Sequence, residues 1–123
     1  MTLLLVGVGG FFGAITRFVV DGWVSRVTGG AFPWGTLVIN LSGSFVLGIL
    51  FAAATERSLL SPDIRPPLMI GFLGAYTTFS TWMLESWRMV EDGALVAALA
   101  NLGGSVVLGV VAVFAGLAVG RLI

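Results

Sequence analysis

The chain has 123 residues, 58% of them hydrophobic and 10% charged, with six basic and six acidic residues giving a net charge of zero. Soluble domains carry about a quarter charged residues, so this composition describes an integral membrane protein. Cysteine and histidine are both absent, which excludes disulfides, thiolate nucleophiles, imidazole bases and the common zinc, haem and iron–sulfur ligation by these residues.

Four apolar stretches follow one another, Leu3 to Val20, Trp34 to Ala54, Leu68 to Leu84 and Ala94 to Leu122. Each is near the ~20 residues with which an α-helix crosses a hydrocarbon core. The runs are continuous rather than alternating, which argues against a β-barrel. The expected fold is an all-α, four-helix transmembrane domain spanning residues 1–123. The first stretch lacks a basic leader and a clear small-residue cleavage site, and is read as a retained helix.

In the first span, "GVGGFFGAITRF" places Gly9 or Gly10 one turn from Gly13 on a single face, a spacing that lets helices approach closely in lipid. Arg17 follows one turn later. Its guanidinium either snorkels to the headgroups or lines an aqueous vestibule that attracts anions, with Asp21 one turn on as its expected partner.

The second span, "GTLVINLSGSFVLG", gathers Asn40, Gly43, Ser44, Leu47 and Gly48 on one narrow face of mostly small residues. An amide at mid-span needs a partner, so Asn40 either bonds a neighbouring helix or offers its NH₂ to a passing solute.

The third span contains "GFLGAYTTFSTW", with two glycines and five hydroxyls in twelve residues. That density predicts an interrupted helix, the alternative being one that is merely kinked. Irregular backbone at membrane depth survives where protein buries it or where it lines a wet cavity; freed carbonyls there suit a cation. Phe79 and Trp82 share a face three residues apart, and their electropositive ring edges either pack in a core or meet a small anion.

In the fourth span Asn101, Ser105 and Gly109 form a polar-to-small track, fit either for interhelical hydrogen bonds or for a row of donors along a pore. Gly116 and Gly120 repeat the close-packing spacing.

The connections run from Asp21 to Pro33, Glu56 to Pro67 and Glu85 to Gly93. Arg57, Arg65 and Arg121 fall on one side of the membrane and Arg26 and Arg88 on the other, with Arg17 near the first span's end. So small a positive bias suggests either insertion in both orientations or a single orientation fixed by folding.

The succession "GGFFGAITRF", "GTLVINLSGSFVLG" and "GFLGAYTTFSTW" resembles the Fluc (CrcB) family of fluoride ion channels through essentially the whole chain. The resemblance implies a dual-topology antiparallel homodimer in a bacterial inner membrane, with two fluoride pores at the subunit interface. A structural sodium ion (Na+) would lie at the dimer centre, held by the backbone carbonyls of Gly74 and Thr77. Asn40 would be the pore amide, Phe79 the first of two pore aromatics and Arg17 the vestibule arginine. Ser80, Thr81, Asn101 and Ser105 would fall on or near the polar track. The expected partners are fluoride ion, a second copy of the chain and the lipid bilayer, with no nucleic acid.

Two departures stand out. Trp82 takes the place of the family's second phenylalanine, so that the indole obstructs the path, donates its N–H to fluoride or turns away. Ala75 stands beside Gly74 where the family often has a glycine pair. Two rival functions are a small multidrug-type antiporter, for which Glu85 is the one candidate carboxylate, and a non-transporting assembly subunit whose polar residues only join helices. An enzyme is not expected, because the acidic residues lie in or beside loops without a nucleophile–base pair.

Overall fold

The computed structural model describes residues 1–123 and is entirely helical. α1 spans Thr2–Thr28, α2 Trp34–Phe51, α3 Leu73–Tyr76, α4 Ser80–Glu91 and α5 Leu95–Leu122; π-helical turns at Ala52–Glu56 and Pro67–Phe72 extend α2 and lead into α3. Three helical stretches, Thr2–Thr28, Trp34–Glu56 and Leu95–Leu122, are long and apolar enough to cross a membrane. The remaining helical unit, third in chain order, runs from Pro67 to Glu91 and is broken in the middle.

Helices overrun two of the expected connections. α1 continues past Val20 to Thr28 and α4 past Leu84 to Glu91, because neither segment contains a proline, the single Gly22 costs only about 1 kcal/mol in a helix interior, and elongating a helix costs little once it is nucleated. α1 stops where Gly29 takes φ 79°, a left-handed cap whose N–H bonds the Ser25 carbonyl at 3.0 Å. Pro67 opens the π-helical turn before α3 at its first position, where a missing N–H does least harm.

Packing is tight where residues are small and absent elsewhere. α2 lies chiefly against α5, and α1 against the Pro67–Tyr76 segment. A Cβ on Gly9 or Gly13 would enter the carbonyl oxygens of Pro67 and Phe72, and one on Gly116 that of Phe45. These glycines bring backbone against backbone, as their spacing in the first and fourth spans predicts. The core cluster is Ile39, Leu73 and Tyr76, with Val20, Leu50 and Phe72 packed around it. Only 19 of 123 residues are buried, and Phe11, Phe18, Val107 and Phe114 project outward. So much outward apolar surface is stable in lipid and not in water.

Tyr76 shows how a polar group enters that core. Its hydroxyl donates to Ser42 Oγ at 2.8 Å, and Ser42 Oγ donates onward to the Ile39 carbonyl at 3.2 Å. Tyr76→Phe keeps the ring and removes one hydrogen bond. Its expected cost is about 1 kcal/mol, seen as a modestly lower melting temperature of the detergent-solubilised protein; no change would mean that the α2–α3 bond contributes nothing.

Candidate functional site: a broken helix lining a groove

The helix breaks at Thr77, whose backbone is extended (φ −78°, ψ 160°). Thr77 N–H still closes the last turn on the Leu73 carbonyl at 3.0 Å. Thr78 N–H, which would next bond the Gly74 carbonyl in a continuous helix, is instead donated to Asn40 Oδ1 at 2.8 Å, while Asn40 Nδ2 donates back to the Thr78 carbonyl at 2.9 Å. One side-chain amide thus supplies the donor and the acceptor that the break removes. The expected interruption is present, and Asn40 bonds its backbone.

Beyond the break the chain turns back into helix under a threonine cap. Thr78 Oγ1 accepts the Thr81 N–H at 3.3 Å and donates to Thr81 Oγ1 at 3.0 Å, as expected of a hydroxyl preceding a helix. Ser80 and Thr81 begin α4 as exposed residues. Two helix ends therefore face the same gap: the carbonyl end of α3, partially negative, and the amide end of α4, partially positive. Such an arrangement suits a cation at the first and an anion at the second.

Arg17 lies beside the first of these ends. Its Nη1 donates to the Thr77 carbonyl at 3.4 Å, a long bond from a half-buried cation. The expected pairing with Asp21 does not form, for the chain's one ion pair joins Arg121 to Glu56 at 2.7 Å. Asp21 instead sits against Gly35, where a Cβ would collide with its Oδ1. That position is the amino end of α2, where a carboxylate is favoured by the helix dipole.

A groove of about 750 Å³ runs along this side of the molecule. Asn40, Ser44, Gly74, Thr77, Phe79, Trp82 and Ser105 line it, together with apolar residues of α2 and α5. Phe79 is 70% exposed and meets Trp82 edge to face, with centroids 5.6 Å apart and planes at 74°. Ser80 and Thr81 are exposed at the head of α4 but are not among the groove's lining.

Asn101 is placed differently from a pore-lining donor. It is 2% exposed, and its Nδ2 donates to Ser86 Oγ at 2.9 Å while its Oδ1 accepts from Ser105 Oγ at 3.4 Å. The polar track of the fourth span therefore divides, with Ser105 on the groove and Asn101 in the α4–α5 contact. The Trp82 indole N–H is likewise occupied, donated to the Asn101 carbonyl at 3.2 Å. Of the three fates considered for the indole, donation to a solute is the one this geometry opposes.

Sequence reading passed over Thr36 and Ser86. Thr36 Oγ1 donates at 2.9 Å to half-buried Glu85, the carboxylate considered for an antiporter, and Ser86 joins α4 to α5. Ser86 had a legible signal, standing four residues after Trp82 and thus on its face. The Thr36–Glu85 pair, 49 positions apart, had none.

Residues 4–117 match the family described as "CrcB-like protein, Camphor Resistance (CrcB)". The chain belongs to this CrcB-like family. Among its relatives is a protein named "Fluoride-specific ion channel FluC" from Hahella chejuensis, 47% identical, with 98% of this chain and 95% of that protein covered. Proteins of the same name from Solidesulfovibrio magneticus and Magnetococcus marinus are 47% and 45% identical; the first alignment covers 96% of this chain and 94% of the relative, the second both chains in full. This CrcB-like chain is thus a multi-pass membrane protein whose fold and length both agree with the resemblance drawn from its motifs.

Proposed function

We propose that this CrcB-like protein is a passive fluoride-selective channel that lets F⁻ leave the cell through pores at the interface of an antiparallel homodimer. The observation that carries the reading is 45–47% identity over nearly the full length to relatives named as fluoride-specific ion channels, and the groove's chemistry supports it. Fluoride is small and strongly hydrated, so a selective path replaces its water with close donors while holding it weakly enough to release. The remaining N–H of Asn40 and the ring edges of Phe79 and Trp82 are partial positive charges of this kind on the groove, and the amide end of α4, with the exposed hydroxyls of Ser80 and Thr81, stands beside it. Arg17 draws anions toward the vestibule, and Asn101 stands behind the path.

Dual topology follows from the near balance of arginines, which lets one chain insert in either direction. The groove and the exposed Phe79 then lie on the face that a second copy would cover. The near-absence of buried core in a single chain agrees with this assembly.

The residues at the break fit a sodium ion. The Gly74 carbonyl is relieved of its usual helical donor because Thr78 N–H goes to Asn40, and uncharged carbonyl oxygens are the ligands a hard monovalent cation takes. No group of carboxylates, histidines or cysteines suited to a multivalent metal exists in the chain. Gly74 and Thr77 of two antiparallel copies would hold the ion, which would supply a fixed positive charge tying the two breaks together. Arg17 shares the Thr77 carbonyl and would have to give way or stand aside as a second positive neighbour.

The test is fluoride efflux from liposomes containing purified protein, followed with a fluoride electrode at a potential clamped by valinomycin, with chloride as the control ion. Rapid efflux of fluoride without chloride is the expected result. Absence of efflux from well-folded dimers would overturn the channel reading and favour a non-transporting subunit.

A further inference from the structure

Three hydrogen bonds link Trp82, Ser86 and Asn101 into a closed ring. The Trp82 indole Nε1–H donates to the Asn101 carbonyl at 3.2 Å, Asn101 Nδ2 donates to Ser86 Oγ at 2.9 Å, and Ser86 Oγ donates to the Trp82 carbonyl at 2.8 Å. Ser86 and Asn101 are 3% and 2% exposed, so the ring is largely shielded from competing donors. Buried networks that satisfy all their members hold one geometry firmly, since every alternative leaves a polar group unpaired.

The ring fixes Trp82 at two points, its main-chain carbonyl and the far edge of its indole. Phe79 is otherwise poorly held: it stands just past the break, is 70% exposed, and packs its ring edge to face on that indole. A ring pinned on one side orients its partner through the quadrupole, which disfavours a face-to-face sandwich and makes an edge-to-face pair worth about 1 kcal/mol beyond the area it buries.

We propose that Trp82, Ser86 and Asn101 act as a clasp between α4 and α5 that positions Phe79, and through it sets the anion discrimination of the pore. Trp82 is then a positioning residue whose N–H is committed to backbone, and the positive charge offered to the anion at this level comes from ring edges alone. A phenylalanine at position 82 would keep the aromatic contact and lose the pin. This inference rests on the channel reading above.

The experiment combines fluoride and chloride flux in liposomes with ultraviolet resonance Raman spectra of the solubilised protein, for wild type, Trp82→Phe and Ser86→Ala. The chain has four tryptophans, so the wild-type minus Trp82→Phe difference isolates this indole. The clasp predicts a hydrogen-bonded N–H band in that difference and a weaker hydrogen bond in Ser86→Ala. It also predicts a fluoride-to-chloride ratio lowered by up to about tenfold in both variants, the worth of one hydrogen bond. Ser86→Ala leaves both rings intact, so a merely bulky Trp82 would not produce its loss of selectivity.

A free indole band in the wild type overturns the clasp, as does a conducting Ser86→Ala variant with wild-type selectivity. Should Ser86→Ala fail to fold, wild type and Trp82→Phe still decide: a bonded indole with lower selectivity in the phenylalanine variant supports the clasp, and unchanged selectivity overturns it. Wild-type protein that passes no fluoride would instead sink the channel reading, and the clasp's role would fall with it.

Discussion

Fluoride flux through Asn40→Asp falls by at least about 100-fold in liposomes at matched protein content, because two negative charges about 4 Å apart repel by about 4 kcal/mol at an effective dielectric constant of about 20 and each 1.4 kcal/mol is tenfold. The native amide accepts Thr78 N–H at 2.8 Å and donates to the Thr78 carbonyl at 2.9 Å. A carboxylate keeps the first bond and turns the second into oxygen facing oxygen. It also places a formal negative charge at the groove through which an anion would pass. Asn40→Leu separates the two effects: it brings no charge but leaves both backbone groups of Thr78 without partners, at about 1–3 kcal/mol each. A leucine variant that conducts better than the aspartate would assign the loss to charge. Equal losses would assign it to collapse of the break, and a folded, fully conducting aspartate variant would remove Asn40 from the path.

Gly13→Leu destabilises the protein by about 1–3 kcal/mol or more, as overpacking does where neither side can retreat. The atom that a Cβ at this position would meet is the Phe72 carbonyl oxygen, which is backbone and moves only with its helix. Phe72 leads directly into α3 and hence into the break at Thr77, so displacement here also lowers flux. α1 contains its own controls. Gly10 would find only ordinary contacts, the Gly71 carbonyl at 3.7 Å and Ala75 Cβ at 4.0 Å, and Gly7 nothing within 4 Å. Gly10→Ala and Gly7→Leu are therefore expected to stay within about 0.5 kcal/mol of wild type. Size-exclusion profiles after graded heating in detergent rank the series, and a Gly7→Leu variant as damaged as Gly13→Leu would refute the packing argument.

Much of the architecture was legible because lipid permits few solutions. A chain with 58% hydrophobic residues and four runs of spanning length has to satisfy its backbone within helices. The hydroxyl-rich "GFLGAYTTFSTW" announced the break, since residues that compete for backbone bonds gather where a helix gives them up. The Asn40 partner was foreseen as one of two fates; that the partner is the break itself was not. Ala75 beside Gly74 leaves the break in place, at Thr77. The Arg17–Asp21 pairing failed because helical spacing brings two side chains near each other without saying which has the better offer. Asp21 finds room beside Gly35 at the amino end of α2, and Arg17 turns to the Thr77 carbonyl.

By itself the sequence determined the all-helical membrane fold, the close approaches at Gly13 and Gly116, the interruption of the third helical unit and the kinship shown by its ordered motifs. These are local matters, set by hydrophobic run length, by the absence of a Cβ and by hydroxyls competing for nearby backbone. The tertiary structure alone decided that Asn40 completes the hydrogen bonding of Thr78, that Asn101 lies behind the groove rather than on it, and that the Trp82 N–H is already taken. Each of those outcomes depends on which polar groups from distant parts of the chain meet in a medium without water to substitute. Periodicity along one helix records which face a residue occupies, while its partner is chosen by the helix across from it.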